Sequence, residues 1–156
     1  MNRYDEAMQQ LEEKLGHKDG LISLSTIALE PGANGQCRPA ARIVDAYYED
    51  GAFYTVTNLR SGKMAQIAEN SEVAICPITE NFTANGIGEN LGWVCDEQNA
   101  AMMAKLRVLF AAWYHLANND SDPNTVLLRV RMTKGVWFDG HKGIRNEIDF
   151  INRTAD

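Results

Sequence analysis

The chain has 156 residues, the size of one domain with its own hydrophobic core, and we predict a single domain over residues 1–156. Its composition, 45% hydrophobic and 23% charged residues, is typical of a folded globular protein and excludes a disordered chain. The 21 acidic residues outnumber the 15 basic ones, and the net charge of -6 argues against a nucleic-acid partner.

The N-terminal segment, residues 1–16, is polar and has no apolar run, so it resembles neither a signal peptide nor a transit peptide. No stretch reaches the roughly 20 apolar residues that span a bilayer. These features predict a cytoplasmic protein with no membrane partner. Cys37, Cys76 and Cys95 are widely spaced and form no CxxC pair, which indicates reduced thiols, buried or inert, rather than a zinc site.

The first third of the chain predicts a helix followed by strands. Apolar residues at helical spacing over residues 2–15, with Gly16 placed to end the pattern, predict an amphipathic helix. The β-rich run over residues 21–29 predicts a strand. Residues 38–48 and 52–57 are rich in β-branched and aromatic residues, and the short polar turn between them predicts a hairpin.

The middle of the chain predicts a second, shorter helix and another strand. Ser61 can cap a helix that runs to about Glu69, where Asn70 can close it. An apolar strand follows over residues 73–78, and further short strands fit residues 82–95.

The last third predicts a long helix and two strands. Between Asn99 and Asn118, apolar residues recur every three or four positions after a possible cap at Asp96, namely Met102, Leu106, Leu109, Phe110, Trp113 and Leu116. Residues 126–132 and 136–140 predict a strand pair around a turn at Lys134-Gly135. Six or seven short strands without regular strand–helix alternation predict a mainly β, α+β fold: an antiparallel split β-barrel with flanking helices.

Two common catalytic patterns find no support. Gly86, Gly88 and Gly92 have the spacing GxGxxxG without the strand–helix setting of a dinucleotide site, so they indicate a bulge or turn between strands. His17, His115 and His141 lie far apart, none beside a candidate nucleophile, and His115 fits a solvated helix position. We therefore nominate no catalytic residue.

The run from Thr57 to Lys63 has the chemistry of an anion site. It combines two cations, Arg60 and Lys63, with hydroxyls at a strand end that leads into a helix. Unpaired amides at a helix start attract a phosphate by hydrogen bonding and by charge. The spacing alone also fits a surface loop with solvated cations. Arg42 favours the anion site, because an arginine inside an apolar strand needs an acidic or phosphate partner.

At these residues the sequence resembles the pyridoxamine-phosphate-oxidase-like split barrels that bind flavin mononucleotide (FMN), especially the general-stress-protein branch. The resemblance runs through ARIVDAYYEDGAFYTVTNLRSGKMAQIAENSEVAICPI, residues 41–78. The family pattern is an arginine-started strand, an aromatic-Tyr-Thr strand, then Asn-Leu-x-Ser-x-Lys opening a helix, then an Asn before the next strand.

The resemblance implies a role for each matching residue. Arg42 contacts the flavin phosphate, and the backbone groups of Ile43 and Val44 lie along the isoalloxazine ring, a wall that Val56 and Thr57 continue. The phosphate ligands are expected in the segment Arg60, Ser61, Gly62 and Lys63. Gly62 stands where the family has an arginine, and Arg60 could take the place of that arginine. Asn85 falls where the family uses an amide side chain of the second subunit, which implies a homodimer with the flavin at its interface.

The resemblance implies an FMN-dependent oxidoreductase acting on an unknown small molecule. Pyridoxamine phosphate oxidation itself is disfavoured, since Tyr47 stands where a substrate lysine is expected and no Arg-x-His segment follows Gly140. Two alternatives remain open: a flavin-binding protein for storage or sensing without turnover, and a barrel that holds a deazaflavin or haem.

Overall fold

The computed structural model describes residues 1–156, which form eight strands and four helices. The strands are β1 Asp19–Ile27, β2 Pro39–Glu49, β3 Ala52–Asn58, β4 Glu72–Pro77, β5 Phe82–Trp93, β6 Thr125–Asp139, β7 Ile144–Asp149 and β8 Thr154–Ala155. The helices are α1 Arg3–Leu15, α2 Gly62–Glu69, α3 Ala100–Leu109 and α4 Tyr114–Ala117, with a 3-10 turn over Glu97–Asn99.

Six antiparallel strands close a barrel in the order β3-β2-β1-β4-β5-β6, because β3 also pairs with β6. β7 and β8 extend the sheet beyond β6. The predicted mainly β fold, an antiparallel barrel with flanking helices, is therefore confirmed. None of the helices has the length and apolar character that crossing a membrane requires.

Two hydrophobic clusters hold the helices to the barrel. The first fills the barrel interior and extends under α1, whose Leu11 is fully buried. The second lies between the outer face of the barrel and α3, where Leu106 and Phe110 are fully buried. At the N-terminus of α1, the Asn2 side chain accepts a hydrogen bond from the Asp5 amide at 2.8 Å, and Gly16 ends the helix as predicted.

The predicted helix from Asn99 to Asn118 is wrong as one continuous element. The chain leaves helical geometry at Phe110 and resumes it only at Tyr114, so α3 and α4 are separate. The break places Tyr114 in the second cluster, with its hydroxyl 2.5 Å from Oδ1 of Asp120. Leu116, predicted in the buried stripe, is 89% exposed as a result. Asp96 precedes the 3-10 turn but its side chain makes no capping bond.

The predicted turn at Lys134-Gly135 is also wrong, because β6 runs through it without interruption. Gly135 pairs with Ala84 of β5, and a Cβ at Gly135 would lie 2.8 Å from the Phe82 ring. The glycine therefore makes room for an aromatic ring and does not form a turn.

The segment predicted as several short strands is a single strand, β5, with register shifts after Asn85 and after Asn90. A Cβ at Gly86 would lie 2.7 Å from the Arg131 carbonyl oxygen, which explains a glycine at the first shift. The bulge interpretation is confirmed for Gly86 and Gly92, which lie at the two register shifts, but not for Gly88, which pairs in register with Val130. The cysteines Cys37, Cys76 and Cys95 are free thiols, and all three are exposed, so none packs in the core.

Candidate functional site

The barrel has a gap between β2 and β3. Their ladder covers only Tyr47–Glu49 against Ala52–Tyr54. Beyond it β2 pairs with β1 alone, and β3 pairs with β6 alone. Four residues of the predicted site lie on these two facing edges: Ile43 and Val44 on β2, and Val56 and Thr57 on β3.

Backbone groups of β2 face this gap. At its closed end the Thr55 hydroxyl donates a hydrogen bond to the Asp45 carbonyl at 2.8 Å, so that carbonyl points toward β3. Because carbonyl direction alternates along an antiparallel strand, the backbone groups of Ile43 point the same way. The Ile43 side chain is 54% exposed, which leaves this edge accessible. The β2–β3 gap therefore offers backbone donors and acceptors to a flat ligand.

The N-terminus of α2 lies where β3 leaves the gap. Ser61 is the residue before the helix, and the first turn, Gly62 to Met64, has no backbone acceptor for its amides within the protein. The predicted capping bond from Ser61 is absent. Its hydroxyl oxygen is instead buried without any hydrogen-bond partner. Buried polar groups are nearly always paired, so this hydroxyl remains available as a hydrogen-bond donor at the helix start.

Lys63 and Arg42 bring two positive charges to this helix start. The Lys63 ammonium donates to the Thr57 hydroxyl at 2.8 Å, and neither cation forms an ion pair with a carboxylate. Burial lowers the pKa of Lys63 below its usual value, and the nearby Arg42 charge lowers it further. Burial also lowers the pKa of Arg42. Two adjacent cations without a carboxylate form a site suited to an anion.

Neutral oxygens hold the Arg42 guanidinium in place. Nη1 donates to the Thr26 hydroxyl at 2.6 Å and to the Leu24 and Ala40 carbonyls at 3.3 and 3.4 Å. Nη2 donates to Oε1 of Gln66 in α2 at 3.0 Å. Sequence reasoning missed Thr26 and Gln66. Gln66 could have been found, because it lies three residues after Lys63 and so shares its face of α2.

The other predicted site residues make fewer contacts with Arg42, Lys63 and the start of α2. The Arg60 side chain is exposed and makes no hydrogen bond, although its backbone amide donates to the Asn58 side chain at 2.9 Å. Gly62 opens onto free space. Asn85 is exposed on β5, three strands from Ala41 in the row Ala41, Ser25, Ala74, Asn85, a separation of roughly 14 Å. Within one chain, Asn85 is therefore not brought to Arg42 and Lys63.

The candidate site lies outside the principal cavities of the single chain. The five principal cavities, of 330 to 640 Å³, include none of Arg42, Ser61 and Lys63. A ligand held there would lie in the surface cleft between β2 and β3.

A carboxyl pair lies near the closed end of the gap. Burial raises the pKa of Asp45 to about 6, and the neighbouring Asp19 carboxyl adds to the shift through hydrogen bonding and charge. The indole of Trp113 acts in the opposite direction. Asp45, on the strand β2 that lines the gap, therefore holds or releases a proton near neutral pH.

No protein-family model matches the sequence, and no curated protein matches it. Solved structures do match. A pyridoxamine 5'-phosphate oxidase-related, FMN-binding protein from Nostoc punctiforme superposes with a TM-score of 0.61 over 100% of this chain and 95% of that one, at 15% identity. General stress protein 26 from Bacillus anthracis gives 0.58 over 81% and 90%, at 17% identity.

The chain has the split-barrel fold of these proteins. A haem-binding protein from Mycobacterium smegmatis also shares the fold, with a TM-score of 0.60 over 83% of this chain and 52% of that one, at 17% identity. Split barrels of this kind thus accompany different cofactors, and the residues of each gap must decide which one fits. In this split barrel the gap ends in cations, amides and an orphan hydroxyl, which is the donor set of a phosphate site.

Proposed function

We propose that this protein binds FMN, with the ring in the β2–β3 gap and the phosphate at the start of α2. The observation that carries the proposal is the convergence of Arg42 and Lys63, without a carboxylate, on a helix start with free amides. The buried, unpartnered hydroxyl of Ser61 supplies a further donor. A phosphate dianion would satisfy all of these groups at once.

In this proposal each predicted residue keeps a distinct task. Arg42, Ser61 and Lys63 hold the phosphate, with Gly62 contributing a free amide and Arg60 adding charge from the exposed loop. The ring lies along the edges of Ile43, Val44, Val56 and Thr57. A haem lacks the single dianionic terminus that these donors match, so we favour a flavin over that alternative. A deazaflavin with a phosphate-bearing side chain would compete for the same site.

We further propose a homodimer in which a second copy covers the outer face of β1, β2 and β4. That face exposes Leu21 of β1 and Ile43 of β2 at 52 and 54%, and Ile78, just after β4, is 54% exposed. Ile43 also borders the gap, so the partner would cover the ring as well. Asn85 belongs to the same face, and it would reach the flavin of the partner. A monomer in light scattering at micromolar concentration would contradict this shared site.

The proposed activity is oxidoreduction of a small molecule. The flavin supplies the hydride chemistry when bound, and the protein orients it and shields it from water. Asp45 is the titratable carboxyl next to the gap, so it is our candidate for holding a proton near the ring. A flavin-binding protein without turnover is the competing function. It would bind flavin yet leave the bound flavin oxidised when nicotinamide cofactors are added under anaerobic conditions.

The decisive experiment is the visible absorption spectrum of the freshly purified protein. We expect flavin absorption, and release of FMN rather than riboflavin on denaturation. For the purified, flavin-free protein, Arg42→Ala and Lys63→Ala should each weaken FMN binding by about 1.5 to 3 kcal/mol, the range for hydrogen bonds to a charged group. A colourless protein that binds no FMN in a fluorescence titration would refute the proposal.

A further inference from the structure

The Arg42 guanidinium is fixed by two side chains outside the predicted motif. Thr26 lies on β1 and is 2% exposed, and Gln66 lies on α2. The Thr26 hydroxyl donates to Oε1 of Gln66 at 2.5 Å and accepts from Arg42 Nη1 at 2.6 Å. Oε1 of Gln66 also accepts from Arg42 Nη2 at 3.0 Å. Three hydrogen bonds thus close a triangle that joins β1, β2 and α2.

The acceptors in this triangle decide whether the positive charge of Arg42 is neutralised. A half-buried guanidinium usually takes a carboxylate partner, which would cancel its charge. Here every acceptor is a neutral oxygen. These hydrogen bonds use Nη1 and one hydrogen of Nη2, so Nε, the second Nη2 hydrogen and the positive charge of Arg42 stay available to an anion.

The triangle also sets the direction of the guanidinium. Gln66 and Lys63 are three residues apart on α2, so anchoring Arg42 to Gln66 holds it on the face that carries the Lys63 ammonium. The pKa of Lys63, lowered in part by the charge of Arg42, agrees with that proximity. Without the anchor, a flexible arginine would move away from a second cation.

We propose that Thr26 and Gln66 are positioning residues that hold Arg42 toward the start of α2 without neutralising it, and so give the site its preference for phosphate-bearing flavin. The inference rests on the proposed FMN site. It assigns neither residue a direct contact with the flavin. It requires that loss of the triangle affect the phosphate end of the ligand and leave the ring end unchanged.

The test compares FMN with riboflavin, which lacks the phosphate, by fluorescence titration of flavin-free protein. Gln66→Met removes the acceptor, whereas Gln66→Glu keeps it but cancels the charge of Arg42. Both should weaken FMN about tenfold, the loss expected for one charge-assisted bond, and leave riboflavin affinity unchanged. Gln10→Glu makes the same charge change at an exposed position of α1 and should alter neither affinity.

A second pair of variants guards against simple misfolding. Thr26→Val keeps the side-chain shape but removes the hydroxyl, and it should weaken FMN selectively. Thr26→Ser retains the hydroxyl and should restore FMN affinity. Unchanged FMN affinity in Gln66→Met and Thr26→Val, or equal losses for FMN and riboflavin, would overturn the positioning role. Wild-type protein that binds no FMN would instead overturn the proposed function itself, so the two failures are distinguishable.

Discussion

Ser61→Ala should change stability and ligand affinity in opposite directions. The Ser61 hydroxyl is buried, has no hydrogen-bond partner and does not cap α2. An unsatisfied buried hydroxyl costs at least about 1 kcal/mol, and alanine removes it without leaving a large void. The flavin-free variant should therefore be more stable by about 1 kcal/mol, which corresponds to a rise in melting temperature of roughly 3 °C for a chain of this size.

The same substitution should weaken FMN, because the phosphate loses one hydrogen-bond donor. The expected loss is about 1.5 to 3 kcal/mol, or roughly 10- to 150-fold in affinity. Thermal unfolding of the flavin-free protein and titration of flavin fluorescence measure the two effects. Ser71→Ala, an exposed serine before β4, is the matched control and should change neither. A less stable Ser61→Ala protein would indicate a capping role, and unchanged FMN affinity would refute the ligand role.

Three further outcomes test other parts of the structure. FMN affinity should fall as the pH rises through the lowered pKa of Lys63, because only the protonated ammonium attracts phosphate, and Lys63→Arg should shift that fall to higher pH in the same titration. Burial raises the pKa of Asp45 from 3.8 to about 6, so its ionisation costs stability that develops between these two pH values and is complete above pH 6. Asp45→Asn should therefore stabilise the protein at pH 8 by about 1 kcal/mol, discounted for partial exposure, and have a much smaller effect at pH 4. Gly135→Ala should destabilise by about 1 to 3 kcal/mol in chemical unfolding, because its Cβ would meet the Phe82 ring, whereas Gly20→Ala, which meets nothing, should be tolerated.

The sequence predicted those parts of the fold that local chemistry determines. The hairpin of β2 and β3 follows from two β-rich runs around a polar turn, and the start of α2 follows from the residues around Ser61. Arg42 stood out because a charge inside an apolar strand needs a partner. These sequence signals lie within a few residues of the features they predict, so the local sequence pattern was sufficient to predict those features.

The errors arose where distant residues decide the local structure. The helix ends at Leu109, and the side chain of Asp120, beyond the helical pattern, accepts hydrogen bonds from Arg107 and Tyr114. Gly135 lies inside β6, where it makes room for the Phe82 ring of another strand. Thr26 reaches Gln66 across 40 positions of sequence, so no local pattern could have joined them. Propensity describes a segment alone, and packing overrides it in each case.

The position of the site follows from how this barrel closes. The β2–β3 ladder stops after three residue pairs, and the facing strand edges beyond it lack a strand partner across the gap. Unpaired backbone groups gain most from a flat ligand that carries its own donors and acceptors, while the cations at the end of the gap gain most from a dianion. Inorganic phosphate can bind only the cations, and riboflavin can bind only the backbone groups of the gap. FMN joins the ring and the phosphate in one molecule, so once one of them is bound the other binds without a further loss of translational freedom. The affinity of FMN should therefore exceed that of either fragment by several orders of magnitude.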